Sequence, residues 1–217
     1  MTAFHLCVEG TKGAGKTTTI AAVRASLERE GWLVEAHALF HEGNDWATTQ
    51  GFEGGVPMME CAREPNERIV RWLIERARAV REAFVSAHAS EERPALLLSD
   101  RGWITLHAYL YEGAWAKDAS QRAAIDALWA SVVSEAPVTV FVHTKPAVTA
   151  ERRRGALDAV SGLQTEERLR ADYERRLRVA REHPQRIARS WETGTGPFID
   201  LAPDVVEIVK SVARITQ

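Results

Sequence analysis

A strand-like run from Ala3 to Val8 passes directly into VEGTKGAGKTTTI, residues Val8 to Ile20. Gly10, Gly15, Lys16 and Thr17 fit the pattern G-x-x-x-x-G-K-[ST], with a strand before it and a helical period after it. The spacing has a chemical reason. The glycines let the backbone bend so that its N–H groups converge on phosphate oxygens. A helix beginning near Lys16 adds its positive N-terminal end. Lys16 is placed to reach the β and γ phosphates, and Thr17 offers a hydroxyl to Mg²⁺. The binding set for a nucleoside triphosphate is therefore Gly10, Lys12, Gly13, Ala14, Gly15, Lys16, Thr17 and Thr18. The loop alone does not separate a kinase from a GTPase or an ATPase motor.

Composition bounds the rest. The 217 residues suit a single domain, 1–217, with a sizeable core. Hydrophobic residues at 45% and charged residues at 27% are the balance of a globular chain, and a net charge of -2 provides no global field for nucleic acid. The two cysteines, Cys7 and Cys61, have neither metal spacing nor a disulfide framework, and Cys7 reads as a small core residue. No apolar run approaches the roughly 20 residues that span a bilayer. The start is too short for a signal peptide, so a reducing cytoplasm is expected.

Along the chain, apolar runs of strand length alternate with helical periods. Strands are expected at Ala3–Val8, Trp32–Phe40, Ala95–Ser99, Val138–His143 and Phe198–Leu201. Helices are expected at Lys16–Arg29, Glu67–Ala89, Trp103–Glu112, Gln121–Glu135 and Asp204–Ile215, and most of the basic stretch Pro146–Arg189 reads as helical. Residues 41–60, rich in Gly and polar residues, read as a long loop. Alternation of this kind implies an α/β fold with a parallel sheet covered on both faces.

Two short constellations point to phosphoryl transfer. Ser99-Asp100-Arg101 closes a continuously apolar strand. In parallel sheets ligands bind at the carboxyl ends of strands, so Asp100 and Arg101 belong on the rim of the glycine loop. Asp100 suits a Mg²⁺-bound water or a base, and Arg101 suits a phosphate. Arg63-Glu64-Pro65 precedes the long helix and is weak alone, a solvated turn being its plain alternative.

Together, VEGTKGAGKTT, AREP, SDRGWITLHAY and the basic segment after VTVFVHTKP resemble the thymidylate kinases, in order and approximate spacing over nearly the whole chain. That resemblance implies a P-loop NTPase fold with a five-stranded parallel sheet and a basic helical lid, about residues 146–165. It implies transfer of the γ-phosphate of ATP, with Mg²⁺, to a nucleotide such as dTMP. Arg63 and Arg101 then bind the acceptor phosphate, and Asp100 lies near it and the metal, which makes Thr17 and Asp100 the metal pair. Trp72 stacks on the base, Arg76 bonds it, and Tyr109 lies against the sugar. Positions 72 and 76 share a helix face. Trp72 and Tyr109 also suit core packing. The resemblance makes Arg152, Arg153 and Arg154 candidates for the catalytic lid arginine, beside Lys16, Asp100 and Arg101; at least two of the three suit a solvated helix face, and the adjoining Gly155 favours Arg154. The family commonly dimerises through helices, which leaves a homodimer open here.

The chain departs from that pattern on the acceptor side. Lys12 stands where the family carries an acidic partner for the 3′-hydroxyl, and a lysine can donate but cannot accept. Leu110 replaces a polar residue, residues 41–60 resemble an insertion, and the glycine-rich turn after REP is missing. Three readings follow. The first is a kinase for dTMP or a related small-molecule nucleotide. The second is a kinase of the same ancestry acting on another acceptor, such as a modified base within DNA. The third is a non-catalytic nucleotide switch.

Overall fold

A computed structural model describes residues 3–37, 67–110, 138–152, 166–194 and 200–215. Its five strands are β1 (Ala3–Gly10), β2 (Leu33–His37), β3 (Ala95–Asp100), β4 (Val138–His143) and β5 (Ile187–Glu192). The described helices are α1 (Lys16–Arg29), α2 (Glu67–Ala87), α3 (Trp103–Leu110), α4 (Pro146–Arg152), α5 (Glu166–Glu182) and α6 (Ala202–Ile215). The strands form one sheet in the order β2-β3-β1-β4-β5. All four pairings are parallel.

A strand in the middle of a sheet covered on both faces must be largely apolar in both directions, and β1 is, apart from His5 and Glu9. Successive side chains alternate between the two faces. Leu6 and Val8 join Leu96, Leu98, Val140 and Val142 in a buried layer against Ile20, Val23 and Leu27 of α1 and Val205, Val206 and Val209 of α6. On the opposite face, Leu97 and Ala95 pack against Phe84 of α2. Cys7 is fully buried there, as a small core residue, and burial raises its thiol pKa well above the usual value. His5 makes a 2.7 Å hydrogen bond to Ser99 Oγ in the same layer, and burial lowers its pKa to about 3. These two residues are structural.

The sheet register places the site. Val8 pairs with Asp100, so the ends of β1 and β3 lie side by side and the segments that follow them meet on one rim. Gly10 pairs with Val142 of β4 on the other side. The loop after β1 therefore emerges between its two neighbours, as the sequence predicts.

One strand is elsewhere than expected. The fifth strand is Ile187–Glu192, which begins in the last residues of the basic stretch read as helical and runs past its end, and Asp200 and Leu201 belong to no strand. The reason is position. β5 is an edge strand, and only Ile187 and Trp191 are partly covered while the residues between them are exposed. A strand so polar carries little apolar alternation to read. Residues 38–66, which hold the expected long loop and Arg63, lie outside the described residues, as does the expected helix 121–135. No helix among the described residues is long and apolar enough to cross a membrane.

Candidate phosphate-binding site

The loop between β1 and α1 is held by its carbonyls, and each has a donor. Lys16 Nζ donates to Thr11 O at 2.9 Å, and Thr149 Oγ1 of α4 to Lys12 O at 2.8 Å. Arg152 Nη1 donates to Gly13 O at 2.9 Å. Thr193 Oγ1, just past β5, donates to Ala14 O at 3.4 Å. Thr19 N, in the first turn of α1, donates to Gly15 O at 2.9 Å. Arg152 is itself braced by Thr193 Oγ1 at 3.3 Å and by Gly194 O. A peptide N–H points opposite to its C=O, so carbonyls drawn toward α4 and β5 turn the amides that follow them to the other side, into the loop. Such a nest of amides at a helix N-terminus is an anion site.

Lys16 is the cation of this site. It is buried, and burial together with the nearby Arg101 and Arg176 guanidiniums lowers its pKa to about 7, against the opposing pull of Asp100 and Glu9. A polyanion in the loop would restore its charge. Thr17 and Thr18 are exposed at the start of α1. Thr17 Oγ1 donates to Asp100 Oδ2 at 3.5 Å, while Asp100 Oδ1 is buried with no hydrogen-bond partner among the described residues. A hydroxyl and an orphaned carboxylate oxygen are hard oxygen donors of the kind Mg²⁺ takes from a protein, leaving its other positions to phosphate and water. The residues present fit that ion.

Arg101 completes the rim. It has a φ of 77°, a left-handed conformation rare outside glycine and costing about 1–3 kcal/mol. Its Nε is buried without a partner among the described residues, as a guanidinium waiting for an anion would be. The strained turn is held by two bonds from β1. Arg101 N donates to Val8 O at 3.1 Å, and Gly102 N to Glu9 Oε1 at 2.6 Å.

The structure thus brings together Gly10, Lys12, Gly13, Ala14, Gly15, Lys16, Thr17, Thr18, Asp100 and Arg101 on one rim. Arg63 and Arg154 lie outside the described residues, and so do the side chains of Trp72, Arg76 and Tyr109, which sit on α2 and α3. Sequence reasoning missed Glu9, Thr149, Thr193 and the loop-bracing role of Arg152. Glu9 was detectable as a carboxylate in a largely apolar strand, a position that demands partners. The two threonines carry no such signal.

No protein-family model matches the chain, and no curated protein is significantly similar to it. Solved structures are similar over nearly its whole length. The thymidylate kinase of Ehrlichia chaffeensis matches with a TM-score of 0.55 at 13% identity, over 97% of this chain and 99% of that one. The YorR protein of Bacillus subtilis, solved in complex with phosphorylated GDP, matches with a TM-score of 0.53 at 16% identity, over 97% of this chain and 98% of that one. The fold is thymidylate kinase-like: an α/β P-loop NTPase fold with a five-stranded parallel sheet.

The loop geometry makes two glycines behave differently. A Cβ on Gly10, at a φ of 145°, would lie 1.7 Å from Val142 O, so β1 and β4 would have to part at the loop. A Cβ on Gly31, at a φ of 86°, would meet nothing within 4 Å. Gly31→Ala should cost about 1–2 kcal/mol of backbone strain. It should keep the thermal stabilisation by MgATP, about 2.7 kcal/mol at a hundredfold excess over Kd. Gly10→Ala should lose that stabilisation. Thermal melts of both variants with and without MgATP check this; equal MgATP shifts in the two would contradict it.

Proposed function

We propose that this chain is an ATP- and Mg²⁺-dependent phosphotransferase that moves the γ-phosphate to a nucleoside monophosphate, dTMP or a related pyrimidine nucleotide. The observation that carries the reading is the shared rim. A loop with outward-held carbonyls, Lys16, the Thr17–Asp100 pair and the unpartnered Arg101 Nε meet at the ends of β1 and β3. One cation and a nest of amides suffice to bind a triphosphate. A second, strained arginine beside the metal pair supports a second phosphate, the acceptor's. The likeness to a thymidylate kinase and to a protein holding phosphorylated GDP supports a nucleotide in that place.

In this reading each residue has one task. The amides and Lys16 hold the β and γ phosphates and meet charge as it moves between them. Thr17 and Asp100 would hold Mg²⁺, which when bound would neutralise charge on the phosphates. Arg101 holds the acceptor phosphate in line. Arg154, on the lid side, is proposed to stabilise the transferring group.

Lys16→Ala should lower turnover by roughly 10²-fold or more, the cost of losing one preorganised charge. Coupled ATP turnover with dTMP, a panel of other nucleoside monophosphates and oligonucleotides checks both the variant and the acceptor class. Wild-type turnover in the variant at saturating ATP, or no acceptor-dependent turnover by the wild type, would count against the reading.

Lys12 supports a finer statement about the acceptor. Its carbonyl is pinned by Thr149, so the side chain leaves the loop from a fixed point. A cation gains about 0.5–1.5 kcal/mol from a neutral hydroxyl. It gains roughly twice that from an anionic group. We propose that an acceptor with negative charge near the 3′ position outperforms dTMP. Lys12→Glu should shift kcat/KM toward dTMP and away from a 3′-phosphorylated analogue; a uniform loss on both would instead assign Lys12 to the triphosphate.

A further inference from the structure

The strained turn at Asp100 and Arg101 is fixed from an unexpected direction. Arg176 lies on α5, far along the chain from the glycine loop, and is completely buried. Its Nε donates to both carboxylate oxygens of Asp172, each at 3.0 Å, one helical turn away. Its Nη1 donates to Thr105 Oγ1 of α3 at 2.5 Å and lies 3.8 Å from Glu9 Oε2. Thr105 Oγ1 donates in turn to Glu9 Oε2 at 2.6 Å. Glu9 Oε1 then accepts from Gly102 N at 2.6 Å and Thr105 N at 2.9 Å.

The direction of these bonds is not arbitrary. A guanidinium only donates and a carboxylate only accepts, so the one hydroxyl between them must accept from Arg176 and donate to Glu9. Its orientation is fixed from both sides. The carboxylate so aligned caps the N-terminus of α3, where the free amides and the helix dipole favour an anion. It is the same carboxylate that holds Gly102 N, next to the left-handed Arg101.

We propose that Arg176 is a positioning residue for the phosphate site: through Thr105 and Glu9 it sets the turn that aims Asp100 and Arg101. The inference rests on the kinase reading above for its kinetic test. Arg176 touches no reacting atom. Its planar fork serves Asp172 and Thr105 at once, which a lysine cannot reproduce. α5 thereby fixes a rim that it does not line.

The test uses the full chain and four variants: Arg176→Met, Arg176→Lys, Thr105→Val and Thr105→Ser. A misplacement of about 1 Å can cost roughly 10²-fold in rate. Arg176→Met should lose kcat on that scale, Arg176→Lys somewhat less, each with KM for ATP within about threefold of wild type, because transition-state geometry and not triphosphate binding is lost. Thr105→Val keeps every charge, and so stays informative if Arg176→Met fails to fold. It should lose about tenfold in kcat, and Thr105→Ser should restore most of it. Amide exchange at Gly102 and Thr105, followed by NMR, should quicken in Thr105→Val ahead of the sheet amides. A lower melting temperature with unchanged kcat for the folded protein would overturn the proposal, as would a Thr105→Val enzyme as fast as wild type. If the wild type transfers phosphate to no nucleoside monophosphate, the kinase reading fails and the exchange readout still decides the role of Arg176: unchanged exchange at those two amides in Thr105→Val would overturn it.

Discussion

The loop after β1 works only because its carbonyls are taken elsewhere. Backbone amides can converge on an anion only if the carbonyls of the same peptides point away and are satisfied there. Besides the helical bond from Thr19 N to Gly15 O, the donors come from three places: Thr149 and Arg152 on α4, Thr193 beyond β5, and Lys16 from the loop itself. The proposed phosphate site is therefore a property of the β1-β4-β5 half of the sheet and not of eight residues in a row. Lys16 is the exception among these donors. The other three are built into the frame, whereas the proposed function has its bond to Thr11 O exchanged for a phosphate.

The other half of the site depends on a buried charge. Glu9 follows the alternation of β1 into the face covered by α3 and α5, where water cannot solvate it. A lone carboxylate there would be untenable. It is kept by two backbone amides, a hydroxyl and the Arg176 guanidinium. Removing one partner of such a buried pair typically costs about 3–5 kcal/mol, because the survivor is left uncompensated. The network pins the left-handed Arg101, whose strain is offset by these bonds. Burial, reinforced by the positive charge of Arg101 and Arg176, in turn loosens the proton of Lys16.

Much of this architecture is legible in the sequence, for physical reasons. Buried parallel strands must be apolar over most of their length, so β1, β3 and β4 announce themselves in AFHLCVEG, ALLLSD and VTVFVH. The glycine loop is legible because the chemistry fixes its spacing, and Asp100 and Arg101 because a strand end fixes theirs. β5 is not legible, since an edge strand with exposed residues has no pattern to show. Nor are Thr149, Thr193 and Arg176. Their roles depend on contacts between residues 71 to 179 positions apart in the chain, and a threonine or a helix arginine looks the same in sequence whether it is solvated or buried. The sequence departs from the thymidylate kinase pattern at Lys12, and there it raises a question that kinetics with candidate acceptors answers.

The central claim is that this loop holds the phosphates of a nucleoside triphosphate, with Lys16 as the exchangeable cation. A crystal structure of the chain with Mg²⁺ and a non-hydrolysable ATP analogue tests it most directly. The account predicts phosphate oxygens within hydrogen-bond distance of the loop amides, Mg²⁺ between Thr17 and Asp100, and Lys16 Nζ moved from Thr11 O to a phosphate. The bonds from Thr149 and Arg152 to the loop carbonyls should be unchanged. A nucleotide bound with its phosphates away from the loop, or Lys16 still on Thr11 O beside a bound triphosphate, would contradict it.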